Sequence, residues 1–301
     1  MTKLQTLFNI SLTALAPIVW GSTYIVTTEA LPADLPIYAS VIRALGAGLI
    51  LVMLFRTLPS GKWWFKIGVL GLLNIGLFFY CLFAAAYYLP GGIAALFLST
   101  QPLFVIVLGA LILKSKLNLT NLMSAVIGVL GIGLLVVNSA FDLNPMGVIF
   151  GFVGALSMAL GIVLTKHWGR PEGMTVLGFT GWQLTLGGIA LLPAAMMYED
   201  FPSSLNLVNI SGYVYLSIIG GAFGYFVWFR GIEKLNTITT SFLGFLSPVS
   251  ASLLGYVVLG ETFTHLQMLG ALAIIVAIYL ARPQPPKPQG VEDSVPATSS
   301  R

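Results

Sequence analysis

Arg43 is the one ionisable residue that lies deep inside an apolar stretch of this sequence. Placing a charge at membrane depth costs at least about 2.5–3.5 kcal/mol on insertion scales, so such a residue needs a compensating interaction. A guanidinium group is well shaped to bind a carboxylate, which predicts an anchor for a solute that carries one. The structural alternative is an arginine that extends to the membrane surface or binds backbone carbonyls between helices. The sequence leaves both interpretations open.

Aromatic and amide side chains accompany this arginine at helical spacing. Trp20 and Tyr24 are four residues apart and therefore share one face of a helix. The same spacing relates Asn74 and Phe78. Aromatic walls with a few polar groups suit a solute with an apolar side chain, although ordinary helix packing is the competing interpretation for each aromatic residue. The candidate cavity residues are Trp20, Tyr24, Arg43, Asn74, Phe78, Gln101, Trp182, Gln183, Phe223 and Phe226.

The sequence has none of the motifs that nucleophilic, zinc-dependent or ATP-driven chemistry requires. Cys81 is the only cysteine, which excludes a disulfide framework and a cysteine-based metal site. The two histidines, His167 and His265, are far apart in the sequence. We therefore predict no catalytic residue, no metal ion, no cofactor and no use of ATP, which argues against a membrane enzyme.

Carboxylates are absent from the middle of every apolar stretch. Proton-coupled carriers usually place a carboxylate inside the membrane as a relay. Its absence favours a facilitator that follows a concentration gradient over a carboxylate-driven antiporter. Glu29 and Glu261, at the membrane boundary, are the exceptions that this interpretation leaves open.

Ten apolar stretches must position these residues. Each has about 20 residues, enough for a helix rising about 1.5 Å per residue to cross about 30 Å of hydrocarbon. Only 8% of the residues are charged, against about 25% in soluble domains. We predict an all-α integral membrane protein with ten transmembrane helices. The stretches are 8–28, 36–55, 64–88, 92–113, 119–138, 146–165, 174–197, 209–229, 237–259 and 263–281.

The charges at the ends of these stretches predict the topology. The chain has 14 lysines and arginines, and all of them except Arg43 fall on one side of the membrane. Under the positive-inside rule that side is cytoplasmic, and both chain termini lie there. The net charge of +4 is thus explained by orientation, and nucleic acid is not expected as a partner. The charged residues in the loops of the other side are all acidic: Glu29, Asp34, Asp142, Glu199, Asp200 and Glu261.

The two halves of the chain resemble each other. LSTQPLFVIVLGALIL (98–113) aligns with GFLSPVSASLLGYVVL (244–259), which places Pro102 over Pro248 at an offset of 146. IRALGAGLILV (42–52) aligns with WQLTLGGIALL (182–192), so that Arg43 corresponds to Gln183. A repeat of five crossings is odd, so the second copy enters from the opposite side. We predict a five-plus-five inverted repeat around a central cavity, the architecture of many secondary transporters.

This alignment divides the chain into three parts. Residues 1–140 form the first repeat and residues 141–281 the second. Residues 282–301 are rich in proline and serine and are predicted to be a disordered cytoplasmic tail. Pro102 and Pro248 occupy equivalent positions inside helices, so we predict that they act as hinges. The competing interpretation is that membrane helices contain more proline than soluble ones in general.

With these motifs the chain resembles the EamA-type members of the drug/metabolite transporter superfamily. The motifs are the early tryptophan of LAPIVWGSTYIVT (15–27), the arginine and small residues of VIRALGAGL (41–49), and the segment LGETFTHLQMLGALAIIVAIYLA (259–281). The prolines of the fourth and ninth stretches belong to the same resemblance. Within the family the chain is similar to bacterial exporters of aromatic and other amino acids.

The residues and the resemblance together predict a secondary transporter that exports amino acids by alternating access. The direction of transport is implied by the resemblance alone. The expected partners are a small amino-acid solute and the lipid bilayer, with a monomer as the working unit in a bacterial cytoplasmic (inner) membrane. Two alternatives remain: an exporter of drugs or other small metabolites, and, from a different class, a channel or lipid flippase.

Overall fold

A computed structural model describes residues 3–32, 35–89, 96–116, 118–136, 144–201, 204–259 and 264–281. Over these ranges the chain is helical, with short connections and no strand. Glu261 and the predicted tail 282–301 lie outside the described residues.

Ten apolar helices follow one another in the described part of the chain. The third and eighth each contain a π-helical segment, and the ninth has a break. The helices are α1 Lys3–Ala30, α2 Pro36–Phe55, α3 Trp63–Gly71, Leu72–Gly76 (π) and Leu77–Tyr88, α4 Gln101–Ile112, α5 Leu119–Val136, α6 Pro145–Trp168, α7 Val176–Tyr198, α8 Leu207–Tyr215, Leu216–Phe223 (π) and Gly224–Lys234, α9 Thr237–Leu243 and Leu246–Leu259, and α10 His265–Leu280.

These helices have the length and surface that a bilayer requires. Seven of them are long and apolar enough to cross a membrane, and α4, α5 and α10 are shorter apolar helices. Large apolar side chains remain exposed on the outside of the bundle, as with Leu111, Leu130 and Val257. In water such a surface would be unfavourable, whereas lipid tails solvate it. The predicted all-α membrane fold is confirmed.

Short polar side chains fix where several helices begin. Asn206 Oδ1 accepts a hydrogen bond from the backbone N–H of Asn209, and Asn209 Oδ1 accepts one from the backbone N–H of Asn206. Thr264 and Gln267 form the same reciprocal capping box at the start of α10. Each box satisfies two backbone groups that a helix terminus otherwise leaves unpaired.

The packing of the helices repeats between the two halves. α2 packs against α7, and α5 packs against α10. α1 lies against α8 and α9, while α6 lies against α3 and α4. Exchanging the first five helices with the last five leaves this pattern unchanged, which is the five-plus-five arrangement that the sequence predicts. The end of the bundle where α1 begins and α10 ends is called the terminus end below, and the opposite end the far end.

The π-helical segments of α3 and α8 occupy equivalent places in the two halves. Leu72–Gly76, moved by the offset of 146, falls within Leu216–Phe223. A π segment interrupts the regular hydrogen-bond ladder and is frequent at functional sites. The sequence analysis did not anticipate these segments.

The helix breaks near Pro102 and Pro248 precede the prolines. A turn at residues 99–100 comes before α4, whose first turn contains Pro102. Likewise α9 ends a first piece at Leu243 and resumes at Leu246, with Pro248 in the new first turn. A proline in the first turn of a helix removes no hydrogen bond, since that N–H has no partner within the helix. Whether these breaks move stays a prediction.

Candidate functional site

A cavity of about 280 Å³ lies among α1, α2, α3, α4, α8 and α9, with Met158 of α6 also in its wall. The α1 residues that line it belong to the later part of that helix, so the cavity extends towards the far end. Its aromatic lining residues are Trp20, Phe78, Phe79, Phe83, Tyr225, Trp228 and Phe245. Its polar and charged lining residues are Thr23, Thr27, Ser40, Arg43, Ser99, Gln101, Ser241 and Ser247.

Arg43 is buried in the cavity wall, with 8% of its surface exposed. Its Nη2 donates to the carbonyl oxygen of Gly220 at 3.1 Å, and its Nη1 lies 3.4 Å from Thr23 Oγ1. The guanidinium carbon is 5.4 Å from the ring centroid of Phe79 and 5.9 Å from that of Tyr225. The described residues that line the cavity include no carboxylate. The cavity therefore has a positive wall.

Trp20 binds the same carbonyl group as Arg43. Its Nε1 donates to the Gly220 carbonyl at 2.9 Å, and its ring lies 4.9 Å from Tyr225 and 5.2 Å from Trp228. Gly220 belongs to the π segment of α8. A π segment leaves carbonyls without their usual partner in the helix, which explains why this oxygen can accept two side-chain donors. We call Trp20, Arg43 and Gly220 the cavity tie.

Four of the ten candidate residues predicted from the sequence line the cavity, namely Trp20, Arg43, Phe78 and Gln101. The proline pair Pro102 and Pro248 lies at the cavity wall as well. The side chain of Tyr24 lies outside the described residues.

Asn74 and Gln183 are brought together, but away from the cavity. Asn74 Nδ2 donates to Gln183 Oε1 at 2.9 Å and lies 3.3 Å from Thr165 Oγ1. Both amide side chains are fully buried. A Cβ at Gly161 would collide with Asn74 Oδ1, so this glycine makes room for the amide. We call Asn74, Thr165 and Gln183 the buried tie; it joins α3 to α6 and α7 and differs from the expected cavity position.

The remaining three candidates also lie away from the cavity. Trp182 Nε1 donates to the Thr57 carbonyl at 2.7 Å, and its ring meets Trp64 edge-on at 4.9 Å, near the terminus end. Adjacent residues on a helix point about 100° apart, so Trp182 cannot face the direction taken by Gln183. Phe223 is 38% exposed on the outside of α8. Phe226 packs against the hydrophobic core, which includes Ala16 and Ile232.

The terminus end of the cavity is closed by residues that the sequence analysis missed. Tyr225, Trp228 and Phe229 are at most 2% exposed; Tyr225 and Trp228 line the cavity, and the Phe229 ring packs 5.9 Å from that of Tyr225. We call these three residues the aromatic floor. They follow a spacing of three and four along α8, a signal that marks one helix face but does not distinguish a cavity floor from ordinary core.

Below this floor a cationic side chain joins α6 to α8. Lys166 Nζ donates to the carbonyls of Ile232, Glu233 and Leu235 at 3.0, 2.7 and 2.9 Å. These carbonyls end α8, where a positive charge is favourable. Arg170 Nε lies 2.8 Å from Glu233 Oε1 in a partly exposed ion pair. We call this the terminus-end latch; the sequence analysis counted its cations only as topology signals.

The side chain of Glu199 caps the start of α2, the helix that carries Arg43. Its two carboxylate oxygens accept the backbone N–H groups of Ile37 and Tyr38, each at 2.7 Å. Partial burial raises the pKa of Glu199, and the two backbone hydrogen bonds lower it by less. Within the described residues, no group of three or more His, Cys, Asp or Glu side chains could hold a metal ion.

Comparison with known proteins gives consistent matches over most of the chain. The model of the EamA-like transporter family matches residues 7–137 and 145–282. Protein PecM of Dickeya dadantii is 48% identical over 267 residues, which cover 89% of this chain and 90% of that protein. The probable amino-acid metabolite efflux pump of Salmonella typhimurium is 24% identical over 281 residues, covering 89% and 93%.

A solved crystal structure shares the fold. It superimposes with a TM-score of 0.77 at 17% identity and covers 91% of this chain and 96% of that chain. The ten-helix, two-repeat fold is confirmed, and so is the resemblance that the sequence motifs indicate.

Proposed function

The chain belongs to the EamA-like transporter family, and from this premise we propose that it exports amino acids, aromatic ones included, from the cytoplasm. The protein is a multi-pass membrane transporter of small molecules. The proposal adds the substrate, the direction and the route.

The observation that carries the proposal is Arg43 in the wall of an aromatic cavity. The guanidinium lines the cavity and lies 5.4 and 5.9 Å from the ring centroids of Phe79 and Tyr225. In such surroundings a charge is poorly hydrated, so a solute carboxylate gains much from pairing with it. An aromatic side chain of the same solute would pack against Trp20 and Phe78. The name of the Salmonella typhimurium relative, a probable amino-acid metabolite efflux pump, supports this class.

Two N–H groups at the cavity wall suit further polar atoms of the solute. Gln101 Nε2 and Trp228 Nε1 are buried and have no hydrogen-bond partner among the described residues. A buried donor without a partner costs about 1–3 kcal/mol, so an acceptor on a bound solute, or water, would be favourable there.

The closed aromatic floor and the far-end cavity support alternating access. Trp228 and Phe229 separate the cavity from the terminus end, and the terminus-end latch holds α6 to α8 below them. If both termini are cytoplasmic, as the distribution of lysine and arginine predicts, this conformation faces outward. Rocking of one repeat against the other would open the cytoplasmic side, with repeats 1–140 and 141–281 as the moving units and a monomer as the working assembly. The proposed membrane is the bacterial inner membrane.

Reconstitution of the purified protein into liposomes tests the substrate. The liposomes are preloaded with unlabelled phenylalanine, and the uptake of labelled phenylalanine by counterflow is measured. Tryptophan, phenethylamine and a cationic drug are added as competitors. We expect saturable exchange in which tryptophan competes and phenethylamine, which lacks the carboxylate, does not. Competition by the drug alone would favour a drug exporter, and non-saturable flux would favour a channel. Strong acceleration by an imposed pH gradient would contradict simple facilitation.

A further inference from the structure

A second concavity, of about 620 Å³, lies at the terminus end between the start of α1 and the end of α8. It shares no described lining residue with the transport cavity. Its described lining residues are Leu4, Gln5, Phe8, Asn9, Arg230 and Lys234. We call it the α1–α8 groove.

One side of this groove is cationic. Arg230 is half-buried, its Nη1 donates to Asn9 Oδ1 at 2.9 Å, and its guanidinium carbon lies 6.0 Å from the Phe8 ring centroid. Lys234 is exposed one turn further along α8, so the two cations share a helix face. The neighbouring Glu233 is directed to Arg170 at 2.8 Å. Since the described groove residues include no acid, the two positive charges remain uncompensated within it.

The other side of the groove is apolar and open. Leu4 is 77% exposed and Phe8 is 60% exposed, both on the first turns of α1. Exposed apolar side chains next to cations, at the level where a membrane helix meets water, are complementary to a lipid with an anionic headgroup.

The corresponding place in the other half of the molecule is different. The offset of 146 aligns Lys234 with Tyr88, which lies at the far end on α3. There Tyr88 stacks on Phe150 of α6, with ring centroids 6.1 Å apart and planes 7° apart. Stacked neutral rings take the place of the cationic groove. The groove is thus a property of one membrane face and not of the repeat.

We propose that the α1–α8 groove binds an anionic phospholipid of the leaflet at the terminus end. The phosphate pairs with Arg230 and Lys234, for which guanidinium and ammonium donors are suited. The acyl chain runs along Leu4 and Phe8. Because α1 and α8 also carry Trp20 and Gly220, the lipid fastens together two helices of the transport cavity at their terminus end.

Native mass spectrometry of the full-length protein with added lipid tests this proposal. Phosphatidylglycerol and phosphatidylcholine of equal chain length are compared on the wild type, on the double variant R230Q/K234Q, and on the control R56Q/K62Q. The control removes two exposed cations at the same end of the bundle. We expect the wild type and the control to prefer phosphatidylglycerol by at least about tenfold and R230Q/K234Q to lose that preference.

Three results would overturn the proposal. They are an unchanged preference in R230Q/K234Q, an equal loss in the control, and displacement of the lipid by excess inorganic phosphate, which would show a site for free phosphate. A melting curve establishes that the double variant is folded. If the double variant does not fold, L4S/F8S, which keeps both cations, replaces it. We expect L4S/F8S to bind long-chain phosphatidylglycerol more weakly than the wild type does and to bind a short-chain form equally well. An equal affinity of L4S/F8S and wild type for the long-chain lipid would refute the acyl contact.

Discussion

The cavity tie and the buried tie are built at equivalent places in the two halves, from different side chains. In the cavity tie, Arg43 of α2 and Trp20 of α1 both donate to the Gly220 carbonyl of a π segment. In the buried tie, Asn74 of the other π segment, in α3, donates to Gln183 of α7 at 2.9 Å.

The two ties differ in side-chain chemistry and in whether they line the cavity. Asn74 and Gln183 are neutral, fully buried amides joined by one hydrogen bond, and neither lines the cavity. Arg43 carries a charge, bonds the Gly220 carbonyl and lines the cavity. The comparison teaches that the repeat supplies the geometry twice, while the change of residue type, arginine against glutamine, distinguishes the proposed binding site from a buried contact between helices.

Replacing Arg43 tests the open half and should have the largest effect. R43Q removes the charge that we propose pairs with the solute carboxylate, so we expect kcat/KM for phenylalanine transport to fall by about 10- to 100-fold. Phenylalaninamide, which has no carboxylate, should lose much less. Proteoliposome uptake of the two solutes by R43Q and by the control R56Q measures the difference. An equal loss for both solutes would assign Arg43 to structure alone and remove the contrast.

Replacing Asn74 tests the buried half through stability. N74A leaves the buried Gln183 amide without its partner, which costs about 1–3 kcal/mol. We expect a melting temperature in detergent several degrees lower, with an unchanged KM for the folded protein. S124A, which removes a buried hydroxyl bonded within its own helix, serves as control and should shift the melting temperature little. A changed KM in N74A would show that the solute also reaches the buried tie.

Replacing Lys166 tests what keeps the terminus end closed beneath both ties. K166M deletes three hydrogen bonds to the end of α8, so the cytoplasm-facing state should gain population by roughly fivefold or more. R170Q breaks a partly exposed ion pair worth at most about 1 kcal/mol and should act less. Labelling of a cysteine placed at Leu243, in a C81S background, reports the opening. Equal labelling of wild type and K166M would contradict the latch.

Replacing Glu199 should have the smallest effect. It tests how α2, which carries Arg43, and α7, which carries Gln183, are capped at their first residues. α2 starts on the Glu199 carboxylate, whereas α7 starts on the neutral Thr175 hydroxyl, which accepts from the Gly178 N–H at 3.1 Å. The pKa of Glu199 is raised, chiefly by burial, so the folded state disfavours the ionised carboxyl relative to the unfolded chain. The wild type should therefore lose stability relative to E199Q as the pH rises from the ordinary glutamate pKa through the raised one, and gain it back on acidification.

We expect this pH-dependent difference to stay below about 2 °C, because the carboxyl is partly exposed. Melting curves of both proteins across that pH range measure it. The same wild-type minus E199Q difference at every pH would show that burial does not govern the titration of this group.

Much of the architecture followed from the sequence by itself. Apolar length, the one-sided lysines and arginines and the odd number of crossings per repeat fix ten helices in two halves, because lipid requires every backbone group in a span to be paired within a helix. Arg43 stood out for the same reason, since a charge in an apolar stretch is costly wherever that stretch packs. Trp20, Phe78 and Gln101 were also placed at the cavity by spacing and repeat position.

Only the tertiary structure decided which polar residues face the cavity and which face each other. Gln183 aligns with Arg43, yet it lies away from the cavity, because Asn74 of α3 bonds it in the space that Gly161 leaves. The π segments, the aromatic floor of Tyr225 and Trp228, and the latch of Lys166 were likewise invisible, since each depends on a partner from a distant helix. Helical periodicity gives the face on which a residue lies, and the neighbour that this face meets is set by how the helices rotate and pack.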